Sequence, residues 1–323
     1  MSIRIGLLAL PIAVLSASTL AQDAAFPAKP ITIVCPFPPG STSDLIPRAL
    51  APVMTQSLGV PVIVENRPGA TGSIGAAFVA KAEATGHTVL MAPAAVLVIN
   101  QWLYKELAYK PDKDFAPITN AATTPNVWVV HPDMPAKNLA ELIAAAKAKP
   151  GSLSFASGGS GTTSHLCGEL LKSSAGIDIV HVPYKGPGPA LQDVLAGRVV
   201  LMCDNFSNVI PHVRSGRLRA LAVTAKNRHP QAPEIPTADE SGLPGFEVGV
   251  WYSFVAPAKT PRPVIARLNA EFAKALRSPP VAERLKDLGL TVVADSPEDF
   301  ARFVAAESAK WRKVVEASGA RVD

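Results

Sequence analysis

Residues 31–44, ITIVCPFPPGSTSD, decide the fold class of this 323-residue chain. The first five residues are mostly β-branched and apolar, which is typical of a short buried strand. Prolines and Gly40 then end the strand, and Asp44 is the predicted N-cap of an amphipathic helix that runs to about Leu58. The stretch therefore predicts a strand, a tight loop and a helix, which is the repeating unit of an α/β protein.

The same unit recurs along the chain. Further strands are predicted over residues 60–65, 87–91, 126–130, 152–157, 179–182, 199–203, 218–224, 250–256 and 290–293. Further helices are predicted over residues 73–82, 138–147, 163–173, 189–196, 263–276, 281–288 and 296–317. Residues 229–245 hold four prolines and two glycines and read as a surface connection.

Two similar α/β halves, with possible hinges near residues 122–125 and 224–230, predict a two-lobed protein whose chain crosses twice between the lobes. Residues 22–122 and 226–323 would form lobe I, and residues 123–225 would form lobe II.

Residues 1–21 have the pattern of a secretory signal peptide. Arg4 precedes an apolar run from Ile5 to Leu15, and small side chains stand at Thr19 and Ala21, the positions that a signal peptidase reads. The run is too short to span a bilayer. We therefore expect cleavage after Ala21 and an exported, periplasmic, monomeric protein.

Composition narrows the function classes. The chain is 48 % apolar, 18 % charged and 6 % aromatic, with a formal net charge of +5. The basic residues are spread out and the aromatic residues are few, so the pattern favours small anionic ligands over nucleic acid. Cys35, Cys167 and Cys203 match neither a disulfide framework nor a zinc site, and each is predicted to be a small buried apolar residue. No metal and no cofactor is expected.

Residues 157–164, SGGSGTTS, are the most informative segment for function. A strand ends here and a helix begins, and free amides at a helix N-terminus bind anions. The alternative is an ordinary flexible turn with a threonine cap. The segment lacks the third glycine of a dinucleotide fingerprint, the lysine of a P-loop and the second glycine of a nucleophile elbow. The candidate binding residues are Ser157, Gly159, Ser160, Gly161, Thr162 and Thr163.

The loop after the first strand repeats this design in the other half. Two such loops, each at the carboxyl edge of its own sheet, indicate a ligand held in the cleft between the lobes. The ends of two more strands belong to the same cleft, although a plain surface loop and a helix cap are the alternatives there. The candidates are Phe37, Gly40, Ser41, Thr42 and Asp44 in the first loop, and Tyr184, Lys185 and Asp204 at the other strand ends.

Several collinear motifs carry a resemblance to a known family. They are PITIVCPFPPG at 30–40, VENRPGATGSIG at 64–75, DFAPI at 114–118, ASGGSGT at 156–162, HVPYKG at 181–186, LRALAVT at 218–224, and Trp251 before Ala256 and Pro257. Together they resemble the Bug family, the periplasmic solute receptors of tripartite tricarboxylate transporters. The resemblance covers essentially all of the mature chain.

The resemblance implies a type II-like two-lobed periplasmic-binding-protein fold with two crossovers. It also implies a carboxylate held between the two loops, often through water, and membrane permease subunits as partners. The chain departs from the usual pattern at Ser41, where a second glycine is common, and at Cys203, where an aromatic residue is common.

The resulting hypothesis is a solute-binding receptor and not an enzyme. An exported serine hydrolase, with Ser160 or Ser164 and His165 acting on carboxylate esters, is the alternative from another class, although no catalytic motif is complete. A sensor-coupled receptor would use the same cleft. The sequence leaves open which carboxylate binds.

Overall fold

The computed structural model describes residues 26–322, so the predicted signal peptide and its cleavage site lie outside the described residues. The strands are β1 (Ile31–Cys35), β2 (Val62–Asn66), β3 (Thr88–Pro93), β4 (Phe115–Val130), β5 (Ser154–Ser157), β6 (Val180–Pro183), β7 (Leu201–Asn205), β8 (Arg219–Val223), β9 (Gly249–Pro257) and β10 (Thr291–Val292). The helices are α1 (Thr42–Leu58), α2 (Ser73–Ala80), α3 (Asn100–Leu103), α4 (Pro111–Asp114), α5 (Leu139–Ala148), α6 (Thr163–Ala175), α7 (Pro187–Leu195), α8 (Phe206–Arg214), α9 (Arg262–Leu276), α10 (Pro279–Asp287) and α11 (Pro297–Ser318). A π-helical turn, Ala95–Ile99, leads into α3.

The strands form one sheet in the order β2-β1-β3-β9-β4-β7-β5-β6, with β8 and β10 also pairing with β4. The strand pairs β1–β2, β1–β3, β5–β6 and β5–β7 are parallel, whereas β9 and β4 run antiparallel to their neighbours. The two ends of the sheet are thus separate parallel α/β units, joined through long central strands. This arrangement confirms the two-lobed α/β fold.

Strand β4 is much longer than the predicted strand over 126–130. Its first part, to Pro125, pairs with β9, and its last part, from Asn126, pairs with β7 and β8. The sequence does not predict the full strand because it contains Pro117 and Pro125, and proline has no N–H to donate to a neighbouring strand. Register shifts after Pro117 and after Asn120 accommodate the irregular pairing.

The chain passes between the halves at residues 125–126 and again after Thr224. The amide of Thr224 donates to the Asn126 carbonyl over 2.9 Å, and the Val248 amide donates to the Thr224 carbonyl over 2.9 Å. The fully buried Thr224 hydroxyl donates to the Val248 carbonyl over 2.6 Å and accepts the Asn126 amide over 3.1 Å. One side chain therefore fastens the two crossing segments together.

The core has one cluster in each half and one that both halves share. The first cluster lies under α1, α9 and α10, the second lies under α7 and α8, and the third contains Trp128, Phe155 and Trp311. Helix α11 packs on both the π-helical turn and α6. Along residues 26–322, no helix is long and apolar enough to cross a membrane.

Two local predictions are wrong. The N-cap of α1 is Ser41, and Asp44 lies in the first turn of the helix. Cys167 and Cys203 form a disulfide, because α6 lies against β7 and brings the two Cα atoms to 6.4 Å despite a sequence separation of 36. Cys35 is free and buried as predicted, and burial raises the pKa of its thiol to about 11.

Candidate functional site

Residues 36–44, here called loop I, are organised around the Asp44 carboxylate. Asp44 is 1 % exposed and accepts the Gly40 amide over 2.9 Å, the Arg48 Nε over 2.9 Å and the Asn66 side-chain amide over 2.8 Å. Burial raises its pKa, but the hydrogen bonds from Arg48, Gly40 and Asn66 outweigh burial and hold the pKa below its usual value. Asp44 therefore shapes loop I, and its oxygens are occupied by groups of the protein.

The donors that loop I leaves free lie at the start of α1. The amides of Thr42 and Ser43 have no protein partner among the described residues, whereas the amides of Ser41, Gly40 and Asp44 are used within the loop. The hydroxyl of Ser41 donates to the Pro38 carbonyl over 2.8 Å. Of the predicted hydroxyls, Ser41 is thus committed to the loop itself.

A third loop, residues 69–73, packs against loop I and contains none of the predicted site residues. Gly69, Ala70, Thr71 and Gly72 all have positive φ, between 46° and 131°, and the turn leads into α2. A Cβ atom on Gly72 would lie 3.2 Å from the Phe37 ring, so this turn packs directly on loop I. Left-handed conformations at alanine and threonine are strained, and such strain concentrates at functional sites. Only the two glycines gave a signal in the sequence.

Residues 157–163, here called loop II, form the corresponding segment of the second half. Ser157 is fully buried, and its Oγ lies 2.7 Å from His181 Nε2 and accepts the Gly159 amide over 3.1 Å. The Thr162 hydroxyl donates to the Gly159 carbonyl over 2.8 Å and caps α6 by accepting the His165 amide. Both hydroxyls therefore hydrogen-bond within the protein and help to build the loop.

The free donors of loop II are main-chain amides. The amide of Ser160, between the inward-bonded Gly159 and Gly161, has no protein partner among the described residues, nor do the first two amides of α6, at Thr163 and Ser164. A helix N-terminus adds the positive end of its dipole to such amides. This arrangement is suited to binding an anion.

The end of β7 connects loop I with loop II. Ser164 donates its hydroxyl to the Cys203 carbonyl, which ties α6 to β7. Asn205 donates its side-chain amide to the Tyr252 hydroxyl over 2.9 Å, and the Thr42 hydroxyl lies beside that same phenol. Burial raises the pKa of Tyr252. The start of α6 is thus linked to the start of α1 through the end of β7, at Asn205, and the Tyr252 phenol.

The remaining predicted residues divide into three cases. Tyr184 donates its hydroxyl to Asp193 Oδ2 over 2.6 Å, on α7, and its part in ligand binding stays a prediction. Lys185 is exposed. Asp204 is 5 % exposed and accepts the Asn208 side-chain amide over 3.0 Å, and burial raises its pKa to about 6.

The Ser164–His165 pair of the hydrolase alternative is not assembled. Ser164 is committed to the Cys203 carbonyl, and His165 Nδ1 accepts the Gly161 amide over 3.2 Å. The other ring nitrogen of His165 lies 3.9 Å from a Glu169 carboxylate oxygen. A serine nucleophile needs its base within hydrogen-bond reach, and His165 is engaged elsewhere.

Comparison with protein families gives one match. The model of the tripartite tricarboxylate transporter family receptor matches residues 46–320. A protein encoded in the tcbD-tcbE intergenic region of Pseudomonas sp. (strain P51) is 44 % identical, over 94 % of this chain and 91 % of that protein. Protein BugT of Bordetella pertussis is 38 % identical, over 92 % of this chain and 91 % of that protein.

Solved structures give the same picture. An R. palustris protein with adipate superposes with a TM-score of 0.86 at 35 % identity, covering 92 % of this chain and 100 % of that one. The periplasmic binding protein BugD gives 0.83 at 36 % identity, covering 92 % and 99 %. MatC from Rhodopseudomonas palustris with bound malate gives 0.82 at 36 % identity, covering 90 % and 100 %.

Proposed function

The chain belongs to the receptor family of tripartite tricarboxylate transporters, and on that premise we propose that it captures a small organic carboxylate outside the cytoplasm and delivers it to membrane permease subunits. Lobe I would comprise residues 22–122 and 226–323, and lobe II residues 123–225. The predicted signal peptide over residues 1–21 supports export to the periplasm, and we expect the mature protein to be a monomer.

The observation that carries this proposal is the pair of helix starts at one place in the fold. Each of α1 and α6 offers main-chain amides without a protein partner among the described residues. The end of β7 contacts α6 through Ser164 and reaches α1 through Tyr252, which contacts both Asn205 and Thr42. Main-chain amides at a helix start stabilise a carboxylate without bringing in a side-chain charge. We therefore expect the ligand carboxylate to bind the amides of Ser160, Thr163 and Ser164 on one side and those of Thr42 and Ser43 on the other.

The ligand class follows from the site and from similar proteins. Structures of two proteins at 35–36 % identity hold adipate and malate. Burial raises the pKa of Asp204 to about 6, and a ligand carboxylate bound beside it would raise that pKa further. We therefore propose a dicarboxylate of four to six carbons as the ligand class. Its second carboxylate would point toward the exposed Lys185 or the third loop.

Native mass spectrometry of the purified protein, followed by calorimetry with adipate and malate, tests the proposal. We expect micromolar or tighter binding of at least one acid, and no binding of adipamide, the neutral isostere of adipate. Amide donors at a helix start discriminate charge, so equal binding of adipate and adipamide would contradict the site. Failure of every carboxylate in a broad panel would contradict the function.

Closure around the ligand is a separate expectation. The halves are joined by crossing segments that Thr224 fastens, and a hinge at such segments lets two lobes close on a shared ligand. Small-angle scattering with and without a saturating acid should show compaction. An unchanged radius of gyration would exclude a two-lobed clamp while leaving binding itself intact.

A further inference from the structure

His165 and His181, which are not among the proposed ligand-binding residues, lie stacked beneath loop II. The rings of His165 and His181 are 4.0 Å apart with an angle of 22° between their planes. Phe155 stacks on the other face of His181 at 4.9 Å. Gly168 makes room for this stack, because a Cβ atom there would lie 2.1 Å from the Phe155 ring.

Each ring binds one turn of loop II. His165 Nδ1 accepts the Gly161 amide over 3.2 Å. His181 Nε2 lies 2.7 Å from Ser157 Oγ, and that oxygen accepts the Gly159 amide over 3.1 Å. The amides of Gly159 and Gly161 are therefore both directed inward, toward the histidines.

This pattern determines which amide faces the ligand. Gly159 and Gly161 adopt φ angles of +123° and +85°, which let the backbone reverse direction at alternate residues. With both flanking amides turned inward, the Ser160 amide between them has no protein partner among the described residues. The histidines thus select the donor that loop II presents.

We infer that His165 and His181 are positioning residues, which hold loop II in the conformation that presents the Ser160 and α6 amides to a carboxylate. This inference rests on the proposed function and concerns the same site. A nitrogen that accepts a hydrogen bond carries no proton, so His165 holds its proton on Nε2, 3.9 Å from Glu169 Oε1.

The charge state of the two rings agrees with this role. Burial, together with the Lys172 charge, lowers the pKa of His165 to about 4, and burial, His165 and Lys172 lower that of His181 to about 3. The titratable groups around the rings are each other, Glu169 and Lys172 on α6, while β5 contributes Phe155 and β7 the Cys203 half of the disulfide. Both rings are neutral at pH 7.

Calorimetry on substituted proteins tests the inference, with whichever of adipate or malate binds the parent. His165→Phe keeps an aromatic ring but removes the acceptor of the Gly161 amide. We expect binding to weaken about tenfold or more, because a displaced loop II would lose at least one amide hydrogen bond to the charged ligand. His165→Asn places an amide oxygen near the position of Nδ1, and we expect it to bind within about threefold of the parent. His87→Phe, at the Phe26 contact of lobe I, is the matched control and should bind as the parent does.

Parent-like binding by His165→Phe would overturn the inference. So would a His165→Asn protein as weak as His165→Phe, because the acceptor would then not be what matters. Nitrogen-15 spectra of the imidazoles in the unsubstituted protein decide the point even if a variant does not fold. We expect His165 with its proton on Nε2 at pH 7, and a proton on Nδ1 would refute the arrangement. A parent that binds no acid would count against the proposed function, while the tautomer would still decide the positioning role.

Discussion

Loop I and loop II offer the same kind of helix start to the cleft, but different chemistry holds them in place. Beneath loop I, the charged Asp44 carboxylate collects hydrogen bonds from Gly40, Arg48 and Asn66. Beneath loop II, two neutral imidazoles and the Cys167–Cys203 disulfide take that role. Loop I therefore depends on a charged carboxylate paired with Arg48, whereas loop II is held by neutral rings and a covalent bond. The difference indicates that substitution, acid and reductant should affect the two loops differently.

The largest expected effect on stability comes from removing the Cys167–Cys203 disulfide beneath loop II. Replacing both disulfide cysteines, Cys167→Ser with Cys203→Ser, should lower the free energy of unfolding by about 3–4 kcal/mol, because the cross-link closes a segment of 36 residues and restricts the unfolded chain. Urea unfolding measures this change. The doubly substituted protein should be insensitive to reductant, and a parent that is equally insensitive, with its disulfide verified, would contradict the prediction.

Removing the Asp44 carboxylate beneath loop I should lower stability nearly as much. Asp44→Ala leaves the Arg48 guanidinium and two amides without their acceptor, and we expect a loss of about 2–3 kcal/mol in the free energy of unfolding. Asp133→Ala is the control, because that carboxylate is 91 % exposed. Equal unfolding midpoints for the two variants would show that loop I does not depend on its carboxylate.

Acid should weaken the contacts beneath the two loops at different pH values. Between pH 6.5 and about 4, the unfolded chain binds a proton at His165 that the folded protein does not, so acidification favours unfolding, by up to about 2 kcal/mol at pH 5. The Asp44 contribution lasts until the pH falls below its usual pKa. Asp204 has the opposite sign, because its raised pKa means that the folded state binds the extra proton.

Urea titrations at pH 7.5 and pH 5 measure this difference. The parent should lose stability on acidification, His165→Asn should lose less, and Asp204→Asn should lose more. A parent whose stability is unchanged between these pH values, with His165→Asn indistinguishable from it, would show that the rings beneath loop II do not resist protonation.

The sequence predicts where the donors lie but not what holds them. Glycine, serine and threonine between a strand and a helix marked both loops, and the free amides lie there. The partners are remote in sequence: Asn66 is 22 residues from Asp44, and His181 is 24 residues from Ser157. The Ser157 hydroxyl contacts the remote His181, which no local pattern reveals, whereas the Thr162 hydroxyl caps α6, the alternative that the sequence left open.

Two further features escaped prediction for local reasons. The third loop places Ala70 and Thr71 at positive φ, which L-residues other than asparagine and aspartate rarely adopt, so neither residue marked a left-handed turn. Strand β4 contains Pro117 and Pro125, which ordinarily exclude a central strand. In both places the surrounding fold overrides the local preference.

A smaller effect should separate the role of Thr162 in loop II from its role as a helix N-cap. Thr162 and Ser296 both accept the amide of the third following residue, as N-caps of α6 and α11. Replacing either with alanine should cost about 1 kcal/mol of stability. Only Thr162→Ala should also weaken adipate or malate binding, because the Thr162 hydroxyl additionally holds the Gly159 carbonyl. Equal affinity in the two variants would remove Thr162 from the site.

The smallest expected effect concerns Lys185, an exposed charge beside loop II. The Tyr184 amide donates to the Ser157 carbonyl over 3.0 Å, which places the neighbouring Lys185 beside loop II. An exposed ammonium is screened beyond about 8–10 Å at physiological salt, so Lys185→Ala should weaken carboxylate binding by less than about threefold, with the difference fading as salt rises. Calorimetry at low and physiological salt, with Lys137→Ala as the control, measures this. A Lys185→Ala protein that fails to bind while Thr162→Ala binds normally would replace the amide site of loop II with an ion pair.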